Sequence, residues 1–236
     1  MKVCVVGSGA LGSVIAKLLN EELSCIVSLE SEYKQLTDTN GNFDCIIDCS
    51  SPVCLDMIYE YAINYNKPVV FATTGYSEEQ LMKIKELSKN VPVLKSANFS
   101  LGINLLNRIV KLITPILKDD FDIEIIEAHH HNKVDAPSGT AKMFLESVKE
   151  TTGFTEVNGR VGNSLRKPNE VGVHSIRGGS IVGEHSVMYC GLDEVITLKH
   201  DAYSKNVFAV GAIKAAKFLV NQEIGYYTMD DVLFKD

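Results

Sequence analysis

Between Glu127 and Ala141 the chain reads Glu-Ala-His-His-His-Asn-Lys-Val-Asp-Ala-Pro-Ser-Gly-Thr-Ala, and half of its six histidines stand there in a row. An imidazole changes protonation near neutrality and can act as a general acid. Lys133 adds a fixed positive charge. Ser138 and Thr140 carry hydroxyls, and with Gly139 they offer free backbone N–H groups if they open a helix, a setting that holds carboxylate or phosphate. Anion capture joined to proton donation is the chemistry this spacing suggests. Two other readings stay open. The run can be a solvated polar loop. It can also be a metal site, although adjacent histidines on an extended chain point to opposite faces, so at most His129 and His131 could share an ion. No cysteine or carboxylate at ligand-like spacing completes such a set, and no metal is expected.

The flanking residues say what must position this run. Residues 121–126 alternate apolar and acidic types and predict a strand. Residues 141–149 carry Met143, Phe144 and Val148 at helical spacing. The run is therefore a strand-to-helix connection, with Pro137 and Ser138 suited to the first turn.

The N-terminus holds a second chemical pattern. Residues 2–6 are apolar after Lys2; Gly7-Ser8-Gly9-Ala10-Leu11-Gly12 follows, then Val14, Ile15, Leu18 and Leu19 at helical spacing. Strand, GxGxxG and helix in this order predict a dinucleotide site, the glycines serving the tight turn, the approach of a pyrophosphate and close helix–strand packing. A second strand, 24–29, ends at Glu30, eighteen residues after Gly12. An acid there can bond the adenine ribose hydroxyls and disfavours a 2′-phosphate, so NADH should be accepted. With Ser28 and Ser31 adjacent and no arginine nearby, tight NADPH specificity is not expected. The other reading of Glu30 is a solvated carboxylate at a strand end.

Further strands are expected at 43–48, 68–72 and 92–94, with helices at 53–64 and from Ser77, a cap residue. Strand and helix alternate over short links, which predicts a Rossmann-type, doubly wound parallel sheet. Ligands bind off the carboxyl ends of such strands. Those ends carry the glycine loop, Ser50, then Ala72, Thr73, Thr74 and Gly75, and then Ala97, Asn98 and Phe99. After residue 100 the pattern changes to a long helix, 103–117, and β segments at 171–176, 181–189 and 194–200. These predict an α+β domain with a mostly antiparallel sheet. Arg177-Gly178-Gly179 reads as a turn with a cation. A small-residue helix, 207–220, should pack back on the first domain. The expected boundaries are 1–100, completed by 205–236, and 101–204.

Composition removes other classes. A net charge of −7 argues against a nucleic-acid or membrane-surface protein, and it makes a local basic pocket necessary for any anionic substrate. No segment resembles a signal peptide and no apolar run is long enough to span a bilayer. Four of the cysteines, Cys4, Cys25, Cys45 and Cys49, fall in or at the end of strand-like runs; buried free thiols in a reducing cytoplasm are the expectation. A Cys45–Cys49 redox pair is disfavoured, because four residues along a strand keep the sulfurs apart.

The run from Glu127 to Ala141 resembles the signature of the 4-hydroxy-tetrahydrodipicolinate reductase (dihydrodipicolinate reductase) family. Ile47-Asp-Cys-Ser-Ser-Pro52, Ala72-Thr-Thr-Gly75, Ala97-Asn-Phe-Ser-Leu-Gly-Ile-Asn104, Ile176-Arg-Gly-Gly-Ser-Ile-Val-Gly-Glu-His185 and Phe208-Ala-Val-Gly-Ala are also similar to family segments, in family order. The resemblance spans nearly the whole chain. It implies reduction of a cyclic dicarboxylate to tetrahydrodipicolinate with NADH or NADPH, in lysine and diaminopimelate synthesis. It implies cofactor contacts at Gly7, Gly9, Gly12 and Glu30, with 72–75 and 97–99 beside the nicotinamide. His129 matches the proposed general acid, His130 a substrate-binding residue, Lys133 a substrate-binding and catalytic residue, and Ser138, Gly139 and Thr140 a carboxylate clamp. A homotetramer built through the second domain is implied as well.

The sequence departs from the family in places. Ala10-Leu11 stands where many members have Arg-Met, which leaves the NADPH preference open. His131-Asn132 stands where Arg-His is common, and Ser204-Lys205 where Ser-Arg is common. Arg177 is either a site residue or a structural turn cation. Two other functions compete: a different NAD(P)-dependent reductase or dehydrogenase of similar two-domain build, and a non-catalytic dinucleotide sensor. Neither gives a reason for the Lys-Val-Asp-Ala-Pro-Ser-Gly-Thr run.

Overall fold

The computed structural model describes residues 1–234. The chain forms two compact units, one from Met1–Leu101 together with the segment from Lys205 onward, the other from Gly102–Ser204.

The first unit follows strand–helix alternation: β1 (Val3–Val6), α1 (Ala10–Leu19), β2 (Leu23–Val27), β3 (Cys45–Asp48), α2 (Leu55–Tyr65), β4 (Val69–Phe71), α3 (Glu78–Leu87) and β5 (Pro92–Lys95). The interior strands are apolar on both faces because helices cover both. On one face Cys4, Val6, Ile46, Phe71 and Val93 pack with Ile58 and Tyr61 of α2 and with Ile84 and Leu87 of α3. On the other, Val3, Val5, Ile47, Val70 and Leu94 pack with Ile15 and Leu19 of α1. Ser77 caps α3, its hydroxyl accepting from the Gln80 N–H while Gln80 Oε1 accepts from the Ser77 N–H.

The second unit contains α4 (Leu101–Leu117), β6 (Asp122–His129), α5 (Gly139–Thr152), β7 (Thr155–Asn158), β8 (Glu170–Arg177), β9 (Gly183–Gly191) and β10 (Glu194–Ala202). Its sheet has the order β10-β9-β6-β8-β7. The antiparallel character expected from sequence holds for β10, β9 and β6, whereas β6–β8 and β8–β7 are parallel. The sheet is therefore mixed. The parallel half arises because β6 leaves through α5 and β7 leaves through a long loop, and both connections carry the chain back to the same end. Residues of α4 and α5, among them Ile103, Val110, Ala141, Phe144 and Val148, cover one sheet face through Ile123, Ile125, Val171, Val187 and Tyr189. Along β6 the side chains on that face are Ile123, Ile125, Glu127 and His129, so the apolar row ends in two polar residues.

The chain then returns to the first unit through α6 (Asn206–Leu219), β11 (Gly225–Tyr227) and α7 (Met229–Leu233). β11 adds to β5, giving the parallel order β11-β5-β4-β3-β1-β2. The switch point lies between β1 and β3. α6 packs against α1, β3, β4 and β5. Ala209, Ala212, Ala215 and Ala216 are fully buried and let the helix sit close to the sheet. Among the described residues no helix is long and apolar enough to cross a membrane. The closest approach is at Gly211, where an added Cβ would stand 1.7 Å from the Phe99 carbonyl oxygen. Gly211→Ala should therefore force α6 from the 96–100 loop and cost about 1–3 kcal/mol, read as a lower Tm and lower denaturant midpoint.

Candidate active site

In the second unit the site is built on the end of β6. The strand runs to His129, three residues beyond the expected end, because the ladder continues through Ala128 with Glu184 and through His129 with Arg177. Glu127 is fully buried. Its Oε2 lies 2.6 Å from His129 Nδ1. Arg177 forks the same carboxylate, donating to Oε2 and to Oε1 at 2.8 Å each. It also donates to the Asp135 carbonyl at 2.6 Å. The Ser138 N–H donates to Oε1 at 3.2 Å. Burial pushes the Glu127 carboxyl up, but hydrogen bonds from Arg177, Ser175 and His129 outweigh it and hold the group down at about 2.

An ionised carboxylate only accepts, so His129 Nδ1 carries a proton and Nε2 is left to exchange one. Burial pulls the imidazole below its ordinary value; Glu127 works the other way, and Lys133 and Arg177 add to the fall. Gly183 keeps the ring edge clear: a Cβ there would stand 3.2 Å from Nε2.

The other predicted residues divide. Ser138 is buried and caps α5, its hydroxyl accepting from the Ala141 N–H at 3.2 Å and sharing a 2.9 Å hydrogen bond with His185 Nε2. Its polar atoms are thus engaged within the protein, while Gly139 is exposed at the helix start. Thr140 is buried beside it. Lys133 is half-buried and pairs with Asp135 at 2.7 Å. His130 is half-buried after the strand end and His131 is exposed. Among the described residues no three His, Cys, Asp or Glu side chains are grouped to hold a metal.

Sequence reasoning missed Glu127 and His185 as parts of this site, and left Arg177 open. Glu127 had a signal, since residues two apart on a strand share a face. His185 had none, because its position opposite Glu127 is a matter of long-range register. Its ring meets that of His129 edge-on, centroids 5.0 Å apart, and burial followed by the nearby His129 pulls it down to about 3. Arg177 is a buttress of Glu127 rather than a lone turn cation.

In the first unit the glycine loop has the geometry the pattern demands. Gly7 takes φ +109°, and an added Cβ would lie 2.6 Å from the Cys49 carbonyl oxygen. At Gly12 a Cβ would lie 2.0 Å from the Gly7 carbonyl oxygen, while at Gly9 it would meet nothing within 4 Å. Gly9 thus leaves open space at the start of α1, whose first-turn N–H groups have no partner inside the helix. No acidic residue occupies that turn. These features fit a pyrophosphate. A cleft of about 400 Å3 beside the loop brings together Gly7, Ser8, Ser28, Glu30, Lys34 and Ser50. Thr73 is buried, and its N–H with that of Ala72 donates to the Asp48 carbonyl. Thr74 is exposed, and Gly75 takes φ +81°. Ala97 is exposed; Asn98 turns inward, its Oδ1 accepting from the Ser100 N–H, and the Phe99 side chain belongs to the core.

A doubly wound sheet with this loop, in a chain that also carries a buried carboxylate–histidine pair, defines a nicotinamide-dinucleotide-dependent oxidoreductase. Family models agree: residues 1–99 match dihydrodipicolinate reductase, N-terminus, and 102–233 match dihydrodipicolinate reductase, C-terminus. The 4-hydroxy-tetrahydrodipicolinate reductase of Clostridium novyi is 47% identical, with 96% of this chain and 95% of the relative covered. That of Brachyspira hyodysenteriae is 45% identical, with 99% and 100% covered. A dipicolinate-bound dihydrodipicolinate reductase from Paenisporosarcina sp. TG-14 superposes with a TM-score of 0.75 at 21% identity, covering 97% of each chain. The chain belongs to the dihydrodipicolinate reductase family, whose reduction step serves lysine and diaminopimelate biosynthesis.

The loop geometry separates two glycines. Gly9→Ala should leave Tm unchanged yet weaken dinucleotide binding roughly tenfold, about 1.4 kcal/mol. Gly12→Ala should lower Tm as well, since helix and strand must part. Calorimetric titration with NADH beside thermal unfolding distinguishes them.

Proposed function

We propose that this chain reduces 4-hydroxy-tetrahydrodipicolinate, or its dehydrated form, to tetrahydrodipicolinate, with His129 as proton donor and Lys133 as charge stabiliser. The observation that carries the reading is the buried Glu127–His129 pair at the end of β6, tied to the start of α5 by the Ser138 N–H. The substrate class is a ring with two carboxylates. One carboxylate is assigned to the α5 N-terminus, through Gly139 and Thr140, where Ser138 acts by fixing the helix start. The other is assigned to Lys133 and His130.

Bound at the glycine loop, a reduced nicotinamide dinucleotide supplies the hydride. Hydride addition to the conjugated imine leaves an electron-rich centre that needs a proton. Glu127 fixes the ring of His129 through Nδ1, so that the proton is held at Nε2, on the side Gly183 leaves clear. Lys133 stabilises the negative charge as it develops. Replacing His129 by Ala should lower kcat about a hundredfold or more while dinucleotide binding persists. Protonated His129 is the active form, so kcat/KM falls as pH rises through its pKa. Glu127 is the partner that raises that pKa. Glu127→Gln should therefore move the alkaline limb to lower pH by about one pH unit. Both are read in a coupled assay in which the preceding synthase makes the substrate from pyruvate and aspartate semialdehyde. Absence of synthase-dependent oxidation of either cofactor, from protein that binds NADH, would sink the assignment.

We propose that both NADH and NADPH serve. Glu30 suits ribose hydroxyls, while Lys34 lines the same cleft, its ammonium donating to the Leu29 carbonyl at 2.7 Å and to the Ser31 carbonyl at 2.5 Å. Lys34 is the cation that can turn to a 2′-phosphate where an arginine is lacking. Lys34→Ala should lower kcat/KM for NADPH roughly tenfold relative to NADH, and Glu30→Ala should raise it, the worth of one charge-assisted contact.

The working form proposed is a cytoplasmic homotetramer joined through the second unit's sheet. Free cysteines throughout suit a reducing compartment. On the face of that sheet away from α4 and α5, Ile176 and Val195 are exposed apolar residues, as a buried interface would use.

A further inference from the structure

Asp48, Tyr76 and Lys95 take no part in the chemistry above, yet they form an organised cluster in the first unit. Asp48 pairs in register with Phe71, and Phe71 with Lys95. The three therefore stand in one row across β3, β4 and β5, at the carboxyl ends of the strands and on one sheet face. Asp48 is fully buried. Its Oδ1 accepts from Ser50 Oγ at 2.5 Å and from the Ser50 N–H at 3.1 Å, and its Oδ2 accepts from Tyr76 Oη at 2.6 Å. Lys95 Nζ lies 5.7 Å from the Tyr76 ring centroid and donates to the Ser96 carbonyl at 3.0 Å. Burial pulls the Lys95 ammonium down to about 8 while Asp48 works to raise it, so at neutral pH it keeps its charge. Burial, then Asp48, pushes the Tyr76 phenol well above its ordinary range, so it stays neutral. One negative and one positive charge are thus coupled through an uncharged phenol.

Stability alone is a poor reason for such an arrangement. A buried carboxylate rarely improves on apolar packing, and Phe71 shows that an apolar residue fits the middle of this row. Position supplies a better reason. In a doubly wound sheet the dinucleotide straddles the switch point, with the pyrophosphate on the glycine loop. Glu30, at the end of β2, takes the adenosine side. The ends of β3, β4 and β5 then lie on the nicotinamide side. The oxidised nicotinamide ring carries a positive charge and the reduced ring none. An uncompensated Asp48 would hold the oxidised form and slow its release; a cation beside it cancels that preference.

We propose that Lys95 offsets the charge of Asp48 at the nicotinamide end and so sets the protein's discrimination between reduced and oxidised cofactor. The inference rests on the cofactor placement of the reading above. The test is equilibrium binding of NADH and NAD+, by calorimetry, to the wild type and to Lys95→Met, Lys95→Arg and Asp48→Asn. Lys95→Met should shift the ratio of the two affinities about fivefold toward NAD+, Asp48→Asn should shift it toward NADH, and Lys95→Arg should leave it unchanged. A general loss of packing moves both affinities together and leaves the ratio alone, so the ratio reports charge. Should Asp48→Asn fail to fold, the Met and Arg variants of Lys95 decide by themselves. A ratio that stays within about twofold in Lys95→Met, or moves toward NADH, overturns the proposal. Failure of the wild type to oxidise either NADH or NADPH in the coupled assay would instead overturn the reductase reading, and the binding ratios are measured without substrate.

Discussion

A carboxylate with no exposure to water cannot stay ionised unless several donors converge on it. Glu127 meets that condition through Arg177, His129 and the Ser138 N–H, and these partners come from three different places in the second unit. One is the next residue on the same face of β6, one is the end of β8 and one is the start of α5. Arg177 extends the tie to the Asp135 carbonyl, so the loop between strand and helix is held as well. The geometry of the proposed acid, the start of α5 and the connecting loop all follow from satisfying one buried charge. The parallel pairing of β6 with β8 is what delivers Arg177 to the correct side.

The first unit solves a different problem by removing atoms rather than by adding bonds. Gly7 and Gly12 are required by the protein's own packing, whereas a side chain at Gly9 would meet no protein atom within 4 Å. α6 uses the same device against the 96–100 loop. Small residues here are statements about distance: each marks a place where backbone must come nearer to backbone, or to a ligand, than a methyl group permits.

Much of this was legible because period and punctuation reflect burial directly. Strands of the first unit are short apolar runs ended by Gly, Ser or Thr, and parallel sheets buried on both faces produce that pattern. The glycine loop, Glu30, the Ser77 cap and the Ser138 helix start all lay in local sequence. What escaped depended on register between distant segments. The opposition of Glu127 and His185, the fork from Arg177 and the row from Asp48 to Lys95 join residues tens of positions apart. β11 escaped for another reason: three residues, Gly225–Tyr227, carry too little periodicity to announce a strand. The mixed pairing of the second sheet escaped because alternation reveals which face a residue takes, and not the direction of its neighbour.

The closing position of α6 and β11 bears on how the molecule is made. Residues 102–204 form one uninterrupted stretch that holds its own sheet, helices and core. Without residues 205–234 the first unit lacks one helix of the layer that α1 begins, and its edge strand β11. Without them β5 is a bare edge, and Leu94 and Val70 lose the alanines of α6. The first unit thus closes only when α6 and β11 join β1–β5, so removing residues 205–234 strikes the glycine loop's own sheet.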